Sequence, residues 1–402
     1  MKKILVVCPI IPYPENGAEQ LDRANGIRQL IRLGYEVRVI AKRRPYQKDI
    51  DIEAFSKSVG GVIVKTVLYK YTLSGKSLLN KISIILKRLR KLSYLDGAAF
   101  EYSDPEIQNL VDKEIKEWKP DALWFEYTYL WSLYHLAEKN NIPIITRSIN
   151  YEPNHFLDED GRTILNYIKS IPKFLSERKV VKSSDLVCSI TPLEEKIYIK
   201  LGAKNTITLP LRGLPGLPEH IFRVNDGKVN LFFMGSTYNV SHNKNAALFI
   251  IDSIAPALAS ISPKFNIYIT GSKLRSDIET RLPSNVIYKG FVKDLDVFLN
   301  DMDIAIVPSL FGAGMQQKIF EPLMRGFPTI TSNRGIAEYP FVDGVDFLNA
   351  DTVDEYISCI KKLSSDYESS VRIGKAAREK SLEIFNQSAT DEKLSQALRK
   401  IV

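Results

Sequence analysis

Apolar runs of strand length alternate with stretches of helical spacing along the first half of the chain. KILVVCPI is a near-continuous apolar run, and EQLDRANGIRQLIRLG follows with helical periodicity, closed by Gly34. YEVRVIAK is the next strand. DALWFEY, a helix, IPIITRS, then DLVCSIT after ERKVVKSS, and the helix PLEEKIYIKLG continue the series. Continuous rather than alternating apolar strands, interleaved with helices, predict a parallel sheet covered on both faces. The proline-rich stretch LPLRGLPGLPEHIFRVNDGKVN, Leu209 to Asn230, breaks this rhythm and reads as a linker or hinge. Alternation then restarts with VNLFFMG, NAALFIIDSIAPAL, FNIYITG, NVIYKGF, DLDVFLNDM, DIAIVPS, a glycine loop with its helix, FPTITS and TVDEYISCIKKLSSDY.

A chain of 402 residues is too long for one ordinary core. The expectation is an α/β protein of two Rossmann-like parallel-sheet domains. Residues 1–212 form the first, 213–226 the linker and 227–379 the second, with 380–402 returning to the first as a helix whose docking face is Leu382, Phe385, Leu394, Leu398 and Ile401. SSDLVCSIT echoes DMDIAIVPS, which suggests two similar sandwiches; no solenoid period is present. Open parallel sheets bind ligands beyond the carboxyl ends of their strands. Gly17, Gly235 with Ser236, Gly271, and Gly312 to Gly314 all follow predicted strands, so the loops are expected to line one interdomain cleft.

LFGAGMQQKIFEPLMRGFP, Leu310 to Pro328, concentrates the chemistry. A glycine loop enters a helix whose N-terminus offers N–H groups and partial positive charge, the makings of an anion site. Lys318 in the first turn adds a full charge, and Glu321 lies three residues on, on the same face. The bland alternative is a turn and a crossover helix bearing a surface ion pair.

GAGMQQKIFEPLMRGFPTITS resembles the donor-site signature of GT-B glycosyltransferases of the GT4-like group. FMGSTYNVSHNKNAALFIIDSIAPAL…FNIYITG is similar to the start of that family's C-terminal domain, and PYPENGAEQLDRANGIRQLIRLGYEVRVI to its N-terminal glycine loop. The likeness weakens between about Pro45 and Lys119. It implies a retaining transfer of sugar from a nucleoside-diphosphate-sugar to a glycan or lipid-linked acceptor. Lys318 would meet charge developing on the leaving diphosphate and Glu321 would accept from the ribose hydroxyls. Gly235, Ser236, Asn243, Lys244, Gly271, Gly312, Gly314, Met315, Gln316 and Gln317 would line the donor side. Two departures stand out. Ala313 replaces a glutamate that commonly contacts the sugar, shifting any such contact toward the backbone of Gly314 to Gln316. Lys244 is either a diphosphate contact or a solvated helix-start lysine. On the acceptor side the resemblance marks Arg147, Asn150 and Glu152, with Ile149 where relatives frequently have histidine. Gly17 would let backbone approach the sugar. Glu19 and Arg23 either orient the acceptor or belong to a plain amphipathic helix.

Composition narrows the setting. With 45% apolar and 25% charged residues the chain can fill two cores, and no run of 18 apolar residues predicts a spanning helix. MKKILVVCPIIPYP is closed by Pro12 and Pro14 and lacks a small-residue cleavage site, so it reads as a strand, not a signal peptide. Cys8, Cys188 and Cys359 are scattered in apolar patterns, as core thiols of a reducing, cytoplasmic compartment. Net charge is +8, modest for this length, so its placement matters more than its total. SGKSLLNKISIILKRLRKLSY puts Leu78, Leu79, Ile82, Ile85, Leu86 and Leu89 on one stripe among Lys76, Lys81, Lys87, Arg88, Arg90 and Lys91. Such a helix, Lys76 to Tyr94, either docks peripherally on an anionic membrane or packs on the core with a solvated basic face. Few aromatics interleave with the charge, which speaks against nucleic acid. Asp301 and Asp303 precede their strand, the other Asp-x-Asp pairs lack strand-end placement, and His135, His155, His220 and His242 are isolated, so no metal or cofactor beyond the sugar nucleotide is expected. The competing readings are an epimerase on the same fold, which needs a general base in the cleft, and a non-catalytic glycan- or membrane-binding module.

Overall fold

The computed structural model describes all residues except 16, 71–81, 84–85, 87, 90–91, 215, 224–226, 263 and 313. The chain forms two compact units, Met1–Gly213 with Thr390–Val402, and Leu214–Ala389.

The first unit is built on a seven-stranded sheet in the order β3-β2-β1-β4-β5-β6-β7. Its strands are β1 (Lys3–Ile10), β2 (Glu36–Arg43), β3 (Ile63–Leu68), β4 (Ala122–Phe125), β5 (Ile144–Arg147), β6 (Leu186–Ser189) and β7 (Thr206–Thr208). Every neighbouring pair is parallel. The run of apolar residues in β1 follows from its position. Ile4, Val6 and Cys8 enter one core with Trp124, and Leu5 and Val7 enter the other with Phe125. A strand buried on both faces has no polar alternation to show.

The second unit has a six-stranded parallel sheet, β10-β9-β8-β11-β12-β13. Its strands are β8 (Val229–Thr237), β9 (Phe265–Ser272), β10 (Val286–Gly290), β11 (Ile304–Val307), β12 (Thr329–Thr331) and β13 (Leu348–Asn349). Strand order reverses between β1 and β4 in one sheet and between β8 and β11 in the other, the switch points at which such sheets take ligands. The sheets share an order, but the echoing segments are not counterparts. DLVCSIT is β6, third outward from β1, whereas DIAIVPS is β11, directly beside β8.

Other differences have local causes. The expected linker 213–226 is largely structure of the second unit: Leu214 is buried, the His220 ring stacks on Phe327 at 3.9 Å, and the His220 backbone N–H donates to Arg325 O at 2.7 Å. The last helix is two helices, Tyr367–Phe385 and Gln387–Arg399, interrupted where Asn386 takes extended backbone. Phe385 therefore stays in the second unit among Phe320, Tyr339 and Phe341, and Leu382 is exposed. Leu394 and Leu398 are fully buried in the first unit's core, flanked by Ile401, so the return begins at Thr390 rather than at residue 380. The continuous helical run Ser241–Ile261 is long and apolar enough to cross a bilayer. It buries Ala246, Ala247, Ile250, Ile251, Ile254 and Leu258 and packs on β8 and β9 as a core helix. The region of weak family likeness contributes β3 and the helix Asp49–Ser58, and a 20-residue helix, Ile164–Ser183, escaped the periodicity reading.

Candidate functional site

β11 ends at Val307, and the chain passes Ser309 and the glycine loop before entering the helix Gln317–Arg325. Gly312 and Gly314 have φ of +111° and +73°, a region that favours glycine. Gln316 caps the helix in extended conformation and ties the loop back, its Nε2 donating to Ser309 Oγ at 3.1 Å. Met315 is buried and accepts from Tyr339 Oη at 3.6 Å.

Lys318 and Glu321 are held by different groups. Lys318 is 9% exposed and Glu321 7%, so neither belongs to an open surface bridge. The Lys318 Nζ donates to Asn243 Oδ1 at 3.1 Å and lies 5.7 Å from the Phe233 ring centroid. Asn243 in turn donates to Ser236 Oγ and Thr237 O, both at 3.2 Å. The amide of Asn243 thus holds the ammonium in one position. Arg325 reaches Glu321 Oε1 through Nε at 3.1 Å and Nη2 at 3.0 Å, and Gln317 Nε2 donates to Oε2 at 3.0 Å. Arg325 Nη1 also meets Asp296 at 2.7 Å. The carboxylate is thus held in one orientation, with acceptor capacity remaining on each oxygen. The helix N-terminus, the fixed ammonium and the fixed carboxylate together can bind an anion and a diol.

The structure brings together Lys318, Asn243 and Ser236 in one network, and Glu321 and Gln317 in another. Gly235 and Ser236 lie inside β8, not after it. Gly271 has φ +125°, and a Cβ there would lie 2.4 Å from Gly235 O, so these two glycines permit close approach of β8 and β9. Lys244 is half-buried in the helix next to Asn243. Sequence reasoning missed Arg325 and Asp296. The i,i+4 spacing from Glu321 to Arg325 was legible as a signal; Asp296 reaches the site only through tertiary packing.

In the first unit Arg147 is corrected from an acceptor contact to a structural strap. It is fully buried, donating to Ser189 O at 3.3 Å, Pro210 O at 3.2 Å and Leu209 O, and facing Asp22 at 3.5 Å. Asp22, held down to about 2 by Arg212 and Arg147 against its burial, also binds Arg212 at 2.8 Å. Arg23 is buried beside Glu19, with its guanidinium 5.9 Å from the Tyr127 ring centroid. Gly17 precedes the helix Ala18–Arg32 with ordinary extended backbone. Asn150 donates to Tyr127 Oη at 3.4 Å, and Tyr127 donates to Glu152 Oε1 at 2.6 Å, while Lys173 Nζ is 3.4 Å from Oε2. Glu177 was also missed. Burial, then the Glu152 charge, pushes it up to about 8, with Tyr198 and Thr128 donating to it. Burial raises Glu194 to about 7.

Among the described residues no group of three or more metal-ligating side chains converges, and Arg223 bridges Asp301 and Asp303 at 3.0 and 3.6 Å. Most of the basic stripe of Lys76 to Tyr94 lies outside the described residues. Of those within, Ile82, Leu86 and Leu89 are exposed, and Arg88 donates to Tyr94 O at 3.0 Å and Leu95 O at 2.7 Å.

Residues 228–366 match the family model described as Glycosyl transferases group 1. Three solved structures share the whole fold. Sucrose-phosphate synthase from Thermosynechococcus elongatus is 15% identical, with TM-score 0.70 and coverage of 100% of this chain and 99% of that one. Anabaena HepE in complex with UDP is 13% identical, with TM-score 0.68 and coverage of 100% of both chains. A variant of S. aureus TarM with fondaparinux, alpha-GlcNAc-glycerol and UDP is 11% identical, with TM-score 0.65 and coverage of 99% of both. No curated protein sequence matches significantly. At these identities the shared feature is the GT-B fold of two Rossmann-like units, and the family match falls on the unit that carries Lys318 and Glu321.

Proposed function

We propose that the chain is a glycosyltransferase that moves a sugar from a nucleoside diphosphate to a glycan or lipid-linked acceptor, with retention and without a metal. The reading is carried by the divided roles of Lys318 and Glu321: one buried cation fixed by a neutral amide, one buried carboxylate fixed by Arg325 and Gln317. As the bond from the anomeric carbon to the terminal phosphate oxygen breaks, negative charge grows on that phosphate. Lys318 and the helix N-terminus stabilise it. The acceptor hydroxyl forms the new bond on the same face of the sugar, and its proton passes to the departing phosphate. Glu321 binds the ribose hydroxyls in ground and transition state alike. The enzyme then works in the cytoplasm, where sugar nucleotides are made, and meets lipid-linked acceptors at the inner membrane face.

Calorimetry of the full chain with UDP, GDP, ADP and dTDP tests the reading, followed by an assay with the preferred sugar nucleotide in EDTA. One diphosphate is expected to bind selectively, with transfer unaffected by the chelator. A folded chain that binds none of them contradicts the donor site. Binding with activity that EDTA abolishes removes only the metal-independent clause.

A further inference from the structure

The helix Ile164–Ser183 buries Ser170, Ser176, Glu177, Val180 and Val181 and turns the other side outward. On that outer side Ile164 is 84% exposed, Leu165 59%, Ile168 58% and Ile171 52%, with Tyr167 and Phe174 beside them. An isolated exposed leucine needs no explanation, but a contiguous stripe on one helix marks an interaction surface. The same face continues as charge. Arg178, Lys179 and Lys182 are exposed, and the pairs Ile171/Arg178, Ile168/Lys179 and Ile164/Lys182 are separated by nearly whole numbers of turns. The only acidic residue of the helix, Glu177, is on the buried side. Of the acidic residues that precede it, Asp158 is paired with Arg162 at 2.8 Å. Apart from Lys169 at its edge, the exposed face is therefore apolar over its first three turns and basic over its last two, and the helix itself presents no carboxylate on it.

We propose that this helix docks on an anionic lipid bilayer, its apolar half at the acyl boundary and Arg178, Lys179 and Lys182 among the headgroups. Helices of this construction lie in the interfacial plane and bind through buried apolar area plus attraction to anionic lipid. A protein partner would need an acidic rim on one side of an apolar groove; a bilayer offers both components along the whole stripe. The helix is separate in sequence from the basic segment of Lys76 to Tyr94, and the proposal does not depend on the sugar-transfer reading, since neither nucleotide nor acceptor enters its test.

The full chain is sedimented with vesicles of phosphatidylcholine alone and of phosphatidylcholine mixed with phosphatidylglycerol. Binding is expected on the mixed vesicles and to weaken with salt. The double variant Ile168→Glu/Ile171→Glu is expected to lower the partition coefficient by about tenfold or more. The triple variant Arg178→Gln/Lys179→Gln/Lys182→Gln is expected to lose the preference for phosphatidylglycerol. All these side chains are exposed, so unchanged melting of the variants serves as the folding control. Failure of the parent chain to sediment overturns the proposal. So does parental binding by both variants, which would move any membrane contact to another segment. A dimer seen by light scattering and dissolved by Ile168→Glu/Ile171→Glu, with vesicle binding unchanged, would assign the stripe to self-association instead.

Discussion

Two buried charge clusters, one in each unit, are built to different ends. In the first unit Arg147 is surrounded by carbonyl oxygens and by Asp22, which is shared with Arg212. Its Nη1 and Nη2 donors are absorbed by its own fold, while Nε is buried without a hydrogen-bond partner among the described residues, and it strings together the ends of β5, β6 and the segment after β7. In the second unit Lys318 leans on a neutral amide and Glu321 is gripped from behind by Arg325. Buried charge by itself therefore does not mark a site. What separates the two clusters is where the holding groups come from: backbone carbonyls and Asp22 around Arg147, side-chain amides and a guanidinium around Lys318 and Glu321.

The contrast can be broken by substitution. Arg147→Ala is expected to destabilise the first unit by about 3–5 kcal/mol, because it leaves carbonyls and part of a carboxylate buried without a donor. All three tryptophans, Trp118, Trp124 and Trp131, lie in this unit, so their fluorescence reports its unfolding alone. A normal melt with a raised acceptor KM would restore Arg147 to the acceptor site. Lys318→Ala is expected to melt near the parent temperature and to lose about 10²-fold or more in turnover. Near-parental turnover at saturating donor would remove its leaving-group role.

Arg325 sharpens the comparison, since it acts through another residue. Arg325→Ala should weaken nucleotide binding by about tenfold, and Arg325→Lys should restore little because a point charge cannot reproduce the two-pronged grip on Oε1. The readout is calorimetric affinity beside kcat. A fall in kcat at unchanged affinity would mean that Glu321 is not a ground-state contact.

The smallest effect separates the units by pH. Glu177 and Glu194 bind protons more tightly folded than unfolded, so their contribution is fully present at low pH and fades as pH rises from about 4.5 toward 8 and 7 respectively. His220 in the second unit is shifted the other way, down to about 4 by burial and then Arg223. Its contribution is present above about 6.5 and fades as pH falls toward 4. Tryptophan-monitored melting should therefore shift down by a few degrees between pH 5 and 8. Glu177→Gln should flatten that slope, and a calorimetric transition of the second unit should not share it. Parallel pH dependence of both transitions would show that these groups do not set it.

The chain's own pattern determined the alternation of parallel strands and helices, the break near Leu209 and the glycine loop with Lys318 and Glu321. Each rests on local rules: an apolar strand buried on two faces, a residue that tolerates positive φ, a helix N-terminus. The i,i+3 spacing placed Lys318 and Glu321 on one face but could not say which groups hold each of them. Asn243 is 75 residues away from Lys318, and Asp296 comes to Arg325 from the short helix Leu295–Leu299. Arg147 looked like an acceptor residue because its neighbours in sequence do; four partners from distant segments made it a strap. The helix Ile164–Ser183 was hidden because apolar residues on its exposed face break the one-sided periodicity of a helix packed on its own core. Local preference and periodicity can be read along a chain, but the partner of a buried polar group and the exposure of an apolar one depend on residues far away in sequence, and only the packed structure decides them.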